Sequence, residues 1–326
     1  MRKTGLFLAS IALSATLWAE LPEKKGLDVI NRANAEAYIG FLASDALEGR
    51  EAGFRGGRIA GEYIVSNLKT MGIEPLFESY YQPFEAYNKE RQKKGRFQVH
   101  PDSIAKLKQG VHQKLSMNNI LGKIEGKNPN EYVIIGAHYD HLGFDPMLDG
   151  DRVYNGADDN ASGVSAVLQV AKAFLATGVQ PERTVIFAFW DGEEKGLLGS
   201  KYFVQTFLEM DKVKGYLNYD MIGRNKDESK PMHVVYFYTE AHPVFGDWLK
   251  NDIKKYGLNL TPDYRPWDKP VGGSDNASFA LLDIPVIWYH TDGHPDYHMP
   301  SDHVEKINWN KIVDITKASF LNMWNL

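Results

Sequence analysis

Short runs of consecutive apolar residues alternate with amphipathic stretches along most of this chain. EYVIIGAH (131–138), TVIFAFW (184–190), VKGYLNYD (213–220) and IPVIWYH (284–290) are apolar at successive positions and rich in β-branched and aromatic residues. Runs of this kind predict strands buried on both faces, since a strand with one wet face would alternate apolar with polar residues. NILGKIEG (119–126) reads as a further strand. Between them, SGVSAVLQVAKAFLATG (162–178), KGLLGSKYFVQTF (195–207), AHPVFGDWLKNDIKKYG (241–257) and NWNKIVDITKASFLNMW (308–324) have helical spacing, and the first ends on a glycine stop at Gly178. The region from Asn34 to Gly72 also reads as helical, closing with AGEYIVSNLKTMG. Strands alternating with helices predict an α/β fold: a single domain whose central, mostly parallel mixed sheet is flanked by helices on both faces.

In such a sheet, ligands bind beyond the carboxyl ends of the strands. That is where the chain's most conspicuous polar residues fall. Five short loops, GAHYDHLG, NGADDNASG, WDGEEKG, LNYDMIG and DYHMPSDH, carry His138, Asp159, the Glu193–Glu194 pair, Asp220 and His298. Nitrogen and oxygen donors in this mixture suit zinc, and a neighbouring spare carboxylate supplies the base that metal-assisted hydrolysis needs. Taken singly, each loop has a plainer reading. ADDN could be turn and N-cap residues before a helix, and Glu193–Glu194 could complement a helix dipole. His141, His290, His294 and His303 read as hydrogen-bonded structural histidines. Asp220 is harder to dismiss, because a carboxylate at the end of an apolar strand needs a partner to offset its desolvation. The conjunction of five such loops at one sheet edge points to a metallohydrolase.

Composition narrows the setting. The 326 residues are 43% hydrophobic, enough for a sizeable core, and the formal charge is −5 with no basic run of the kind that binds nucleic acid. The charged stretch from Asn88 to Gly110 reads as solvated surface rather than a lid over the site. The absence of cysteine excludes disulfides.

The five loops, in this order and at these separations, resemble the M28 family of zinc aminopeptidases, and ASDALEGREAG (43–53) resembles that family's amino-terminal segment. The resemblance runs from about residue 35 to 326 and implies a zinc-peptidase fold with two Zn²⁺ ions. His138 and Asp220 would hold one, Glu194 and His298 the other, and Asp159, three residues before Ser162-Gly163, would bridge them. Cobalt or manganese could substitute, because these ligand types do not select one metal. Glu193 would be the general base, Asp140 would orient His138, and Tyr297 would steady the oxyanion. A cis peptide bond after Asp159 is implied as well. The substrates implied are peptides with a free amino terminus. Where many relatives have His, this chain has Asn276, and Asp275 beside it is a candidate supporting residue. Tyr264, Trp267 and Trp288 could line an apolar side-chain pocket. A glutaminyl cyclase, a one-zinc acyltransferase on the same fold, would keep Asp159, Glu194 and His298 but can dispense with His138 and Asp220.

The first residues, MRKTGLFLASIALSATLWAELP, combine a basic start, an apolar stretch from Leu6 to Trp18 and Ala19 before Glu20. They read as a signal peptide over 1–19, followed by a catalytic domain over 20–326, exported to a periplasm or the extracellular space with no membrane anchor after cleavage. The intact mass of the exported protein is expected to correspond to a chain starting at or near Glu20. A mass that includes Met1 would refute this reading.

Overall fold

The computed structural model describes residues 21–89, 96–267 and 272–326, so the expected signal segment and part of the charged stretch lie outside the described residues. The chain opens with α1 (Pro22–Val29) and α2 (Arg32–Leu42), a tight turn at Asp45–Arg50, and α3 (Arg55–Met71). The region expected to be helical is thus interrupted: the turn places Glu48, Gly49 and Arg50 at positive φ (50°, 67° and 50°) before α3 begins. Helix α3 stops at Gly72 in the left-handed conformation (φ 79°), the glycine at which the sequence predicts the stop. Next come β1 (Glu74–Pro75), β2 (Tyr81–Lys89), α4 (Pro101–Leu107), β3 (His112–Ile124) and β4 (Asn128–His138). A small hairpin, β5 (Gly143–Phe144) and β6 (Val153–Tyr154), leads to an irregular turn at Ala157–Ser162 and then α5 (Gly163–Ala176). The remainder runs β7 (Arg183–Trp190), α6 (Leu198–Thr206), β8 (Val213–Tyr219), β9 (His233–Thr239), α7 (Val244–Tyr256), β10 (Thr261–Trp267), α8 (Asn276–Ala280), β11 (Val286–His290) and α9 (Trp309–Asn325).

Among the described residues the main sheet has the strand order β1-β3-β7-β4-β8-β11-β9-β10, with β2 paired to β3. The central run β7-β4-β8-β11 is parallel, as expected. The margins are not. Strands β1, β2 and β7 all pair antiparallel with β3, and β9 pairs antiparallel with β11. The sequence reading does not anticipate β2, β9 or β10; of these β2 and β10 contain proline, which cannot donate to a ladder and is tolerated where one edge is free. Strand β10 sits at the end of the order and carries Pro262 and Pro266.

The continuous apolar runs are explained by burial on two sides. Along β4 and β7, Val133, Ile135, Ala137, Val185, Phe187 and Phe189 join a core shared with α1, α2, α3, α5, α7 and α9. The alternate residues Ile134, Ile186, Ala188 and Trp190 join a second core with Phe203 of α6 and Phe279 of α8. Gly136 belongs to this second face, where a Cβ would fall 2.6 Å from the Trp190 indole nitrogen and 2.9 Å from the Tyr216 hydroxyl. No helix among the described residues is long and apolar enough to cross a membrane.

Helix α9 closes the larger core. Asn308 caps it, its side chain accepting from the Lys311 backbone N–H. The Lys311 side chain is buried and donates to the Arg224 carbonyl at 2.8 Å. Burial pulls its pKa from the ordinary 10.5 down to about 8, against the pull of Asp158 and Glu228. Between those two values the unfolded chain holds a proton that the folded chain has released, so stability contributed by this residue rises with pH. Urea unfolding at pH 7.5 and pH 10 should therefore show the wild type gaining stability relative to Lys311→Met at the higher pH. A constant difference would refute the assignment.

Candidate metal centre

Parallel strands deliver the site to one rim. His138 is the last residue of β4, Asp220 follows the last residue of β8, and Glu193 and Glu194 lie just past β7. Asp159 stands in the irregular turn before α5, and His298 occupies the loop after β11 with φ 56°. The peptide bond between Asp159 and Asn160 is cis. Asn160 ties this turn to the sheet: its Nδ2 donates to the Tyr219 carbonyl at 2.9 Å and its Oδ1 accepts from Gly163 N–H at 3.1 Å.

Two groups of donors meet at the Asp159 carboxylate. On one side, His138 Nε2 lies 3.2 Å from Asp159 Oδ1 and 3.7 Å from Asp220 Oδ2. On the other, His298 Nε2 lies 3.3 Å from Asp159 Oδ2 and 3.2 Å from Glu194 Oε2. Donors about 2.0–2.2 Å from a tetrahedral zinc lie about 3.3–3.6 Å from one another, so these spacings fit the edges of a metal's coordination shell. Asp159 Oδ1 is buried without any hydrogen-bond donor, the situation a cation relieves. The residues present therefore fit two divalent ions.

A third imidazole stands at the second group. His141, read from the sequence as a structural residue, is fully buried with Nδ1 at 2.7 Å from Glu194 Oε1 and 3.8 Å from Asp159 Oδ2. The signal was present in HYDH, where two histidines flank one aspartate on a strand exit, but nothing in the sequence shows which way the second ring turns. The other three differ among themselves. His290 Nδ1 contacts the Asp220 carbonyl at 2.6 Å, His294 Nε2 is 3.2 Å from Asp158 Oδ2, and His303 pairs with Asp151 at 2.8 Å on the surface.

Around the donors lies a set of polar supports. His138 Nδ1 lies 3.2 Å from the Asp140 backbone carbonyl and 3.6 Å from the Asp140 carboxylate. That carboxylate instead accepts the backbone N–H groups of Glu193 (3.0 Å) and Glu194 (3.3 Å), and so holds the β7 loop beside β4. Asp302, in the DYHMPSDH loop, accepts the N–H groups of both Asp158 and Asp159 at 3.0 Å. Asp158 in turn accepts from Gly223 N–H. Asp275 is fully buried with neither carboxylate oxygen hydrogen-bonded, and burial pushes it up to about 7. Tyr297 stacks on His298 with ring centroids 3.9 Å apart. The three-residue pocket expected of Tyr264, Trp267 and Trp288 does not form. Trp267 and Trp288 both pack on Phe237, at 5.5 and 4.8 Å, while Tyr264 meets Tyr236 in the larger core. Positions 264 and 267 are an odd number apart on a strand and so face opposite ways.

The charges of the site are interdependent. Burial is the largest influence on Asp159 and raises its pKa, but His141, His138 and His298 outweigh it and hold the carboxyl well below the ordinary range. For His138, burial opposes the charged form, yet Asp140, Asp159 and Asp220 lift the imidazole well above its usual value. His298 is lifted to about 10 in the same way, by Asp159 and Glu194. Glu193 goes the other way: burial, with Asp220, Asp275 and Glu194 nearby, keeps it well above the carboxylate range. Burial likewise raises the Tyr297 hydroxyl, so it keeps its proton as a hydrogen-bond donor at neutral pH.

Beneath the donors sits Arg50, 1% exposed. Its guanidinium donates to the carbonyls of Tyr139 (2.9 Å), Leu42 and Asn155 (2.6 Å each), Gly156 (3.0 Å) and Asp159 (3.4 Å). Burial lowers its pKa to about 10, so it remains charged at neutrality beneath Asp159, Asp302, Asp140 and Glu194. Arg50→Met should strand these carbonyls and remove the buried counter-charge. The expected loss is about 3–5 kcal/mol of unfolding free energy, read from chemical denaturation. A loss within about 0.5 kcal/mol, the size of an ordinary surface substitution, would show that the brace is dispensable.

Comparison with known proteins places this arrangement. Residues 119–322 match Peptidase family M28, a span that takes in all five loops of the site. Leupeptin-inactivating enzyme 1 of Streptomyces exfoliatus is 34% identical over 170 residues, covering 52% of this chain and 34% of that protein. The chain spans about a third or less of the length of the curated relatives it matches. A zinc aminopeptidase from Bacillus subtilis shares the fold at TM-score 0.69 and 17% identity, over 91% of this chain and 95% of that one. A glutaminyl cyclase of Porphyromonas gingivalis does so at TM-score 0.62 and 16% identity, over 91% and 99% respectively. By the family match across most of its length, carrying every loop of the metal centre, this chain belongs to peptidase family M28.

Proposed function

We propose that the protein is a dizinc aminopeptidase that removes amino-terminal residues from peptides. One observation carries the reading: the two oxygens of Asp159 face separate donor pairs, His138 with Asp220 and His298 with Glu194. A one-zinc cyclase does not need both members of the first pair as ligands. His138 and Asp220 would hold one ion, Glu194 and His298 the other, and Asp159 both. The pair of ions would lower the pKa of a shared water toward neutrality and polarise the scissile carbonyl.

The chain's own residues supply the remaining steps. Glu193, held as a weaker acid than an ordinary carboxylate, takes the proton from the attacking water at a carboxylate oxygen and delivers it to the leaving amine. The Asp140 carboxylate fixes the backbone on either side of that base. Tyr297, stacked on His298 with its hydroxyl protonated, donates to the oxyanion as the carbonyl carbon becomes tetrahedral. Export fits this reading, on the strength of the basic and apolar start of the chain.

Metal analysis together with turnover on a panel of aminoacyl amides, glutamine included, tests the reaction class. Two divalent ions per chain and release of free amino acids are expected, with acetylation of the substrate's α-amine abolishing cleavage because it removes the contacts that position the scissile bond. One ion, with pyroglutamate formed from glutaminyl peptides and no amino acid released, would identify a cyclase instead. Equal cleavage of acetylated and free peptides would identify an endopeptidase.

Substitutions separate the roles. Glu193→Gln should retain metal and fold while kcat falls by about 10²–10⁴-fold, whereas Asp159→Asn should lower metal content. Loss of zinc from Glu193→Gln alongside full metal and activity in Asp159→Asn would reverse these assignments.

A further inference from the structure

His141 lies outside the five donors, yet its contact with Glu194 differs from theirs. The donor pairs His138–Asp159, His138–Asp220, His298–Asp159 and His298–Glu194 are 3.2 to 3.7 Å apart. They are spaced as neighbours around a common ion. The His141–Glu194 pair is closer, at 2.7 Å, and is aligned as a hydrogen bond. The two oxygens of Glu194 are thereby divided: Oε1 meets His141 and Oε2 meets His298.

The ring's other nitrogen indicates which atom carries the proton. His141 Nε2 is buried and has no hydrogen-bond partner. A proton there would be buried without an acceptor, while a proton on Nδ1 is received by the Glu194 carboxylate. The fold holds the ring in this pose from several sides. Its backbone N–H donates to the Arg50 carbonyl at 3.1 Å, and its ring edge meets His298 with centroids 5.9 Å apart. Gly156, at φ 57°, packs directly on it, and a Cβ at that position would lie 2.5 Å from His141 Cδ2.

We infer that His141 is a positioning residue whose Nδ1–H holds Glu194 Oε1, so that Glu194 presents Oε2 to the ion shared with His298 and Asp159. A carboxylate free to rotate would exchange its oxygens and lose part of its affinity for the ion; a fixed one binds with a single oxygen and leaves room for substrate. Carboxylates that bind metals are commonly oriented by hydrogen bonds of this kind, and removing such a partner typically costs about 10–100-fold in metal affinity. The inference rests on the metal-binding part of the proposed function and is independent of whether the chain holds one ion or two, since Glu194, Asp159 and His298 would bind metal in either case.

The test is a cobalt titration of the metal-free full chain, followed by visible absorption and by competition with a chelator, for the wild type, His141→Ala and His141→Asn. The asparagine amide can donate from nearly the place of Nδ1 but has no nitrogen suited to ligating the ion. Alanine should weaken the Glu194-side ion by about 10–100-fold and leave any ion at His138 and Asp220 unchanged, and asparagine should recover most of the loss. Equal losses in both variants would make His141 a metal ligand and overturn the inference, and so would unchanged affinity in His141→Ala. Nitrogen-15 spectra of the zinc-loaded wild type read the same point without any substitution: a protonated Nδ1 is expected, and a metal-bound Nδ1 or a proton on Nε2 would refute it. A wild-type chain that binds no ion at Glu194 would instead defeat the proposed function, a result these titrations distinguish.

Discussion

The structure depends on how a small volume holds Asp159, Asp140, Glu193, Glu194, Asp220 and Asp302 together. Carboxylates taken out of water cost several kcal/mol each unless positive charge or N–H donors surround them. The chain meets this requirement in layers. Arg50 lies beneath with its charge buried, the imidazoles of His138, His141 and His298 lie between, and backbone N–H groups of residues 158, 159, 193 and 194 are directed at Asp302 and Asp140. Divalent ions at the two donor pairs would complete the balance. The site is therefore part of what holds the fold together at this rim.

Asp159 shows how tightly these layers are joined. Its N–H is held by Asp302, its carbonyl by Arg50, and its two carboxylate oxygens face two separate donor pairs. Those partners come from the turn before α3, the loop after β11 and the ends of β4, β7 and β8. A shift in any of these segments would be transmitted to the carboxylate between the two donor pairs. Arg50 and Asp302 hold the backbone of Asp159 from two sides and so support the geometry on which the proposed reaction relies.

Parallel strands are the means by which distant segments meet. In β7, β4, β8 and β11 every chain direction is the same, so every loop that follows a strand emerges at the same rim. The antiparallel strands at the margins contribute no donor to the metal centre. They widen the sheet and supply the face on which Phe237, Trp267 and Trp288 pack.

Much of this is legible in the chain itself, because strand burial and loop chemistry are local properties. Short apolar runs rich in β-branched and aromatic residues, such as TVIFAFW, predict strands covered on both sides, which puts acidic or imidazole residues that follow them at a strand end. His138, Glu193, Glu194 and Asp220 follow from that rule, while Asp159, in the turn before α5, and His298, in the loop after β11, are singled out through the family resemblance. Orientation and long-range pairing are not local. Whether His141 turns toward Glu194 or into the core is set by Gly156 and His298, which pack against its ring from other loops. Arg50 reads as one basic residue in a turn until the carbonyls of residues 42, 139, 155, 156 and 159 converge on it. Tyr264 and Trp267 read as pocket partners until the strand's two-residue period places them on opposite faces. The sequence by itself determined which acidic and imidazole residues fall at the strand ends and at which edge of the sheet they lie. Only the tertiary structure decided which of them touch, because a side chain's partners are set by packing between segments that no local pattern records.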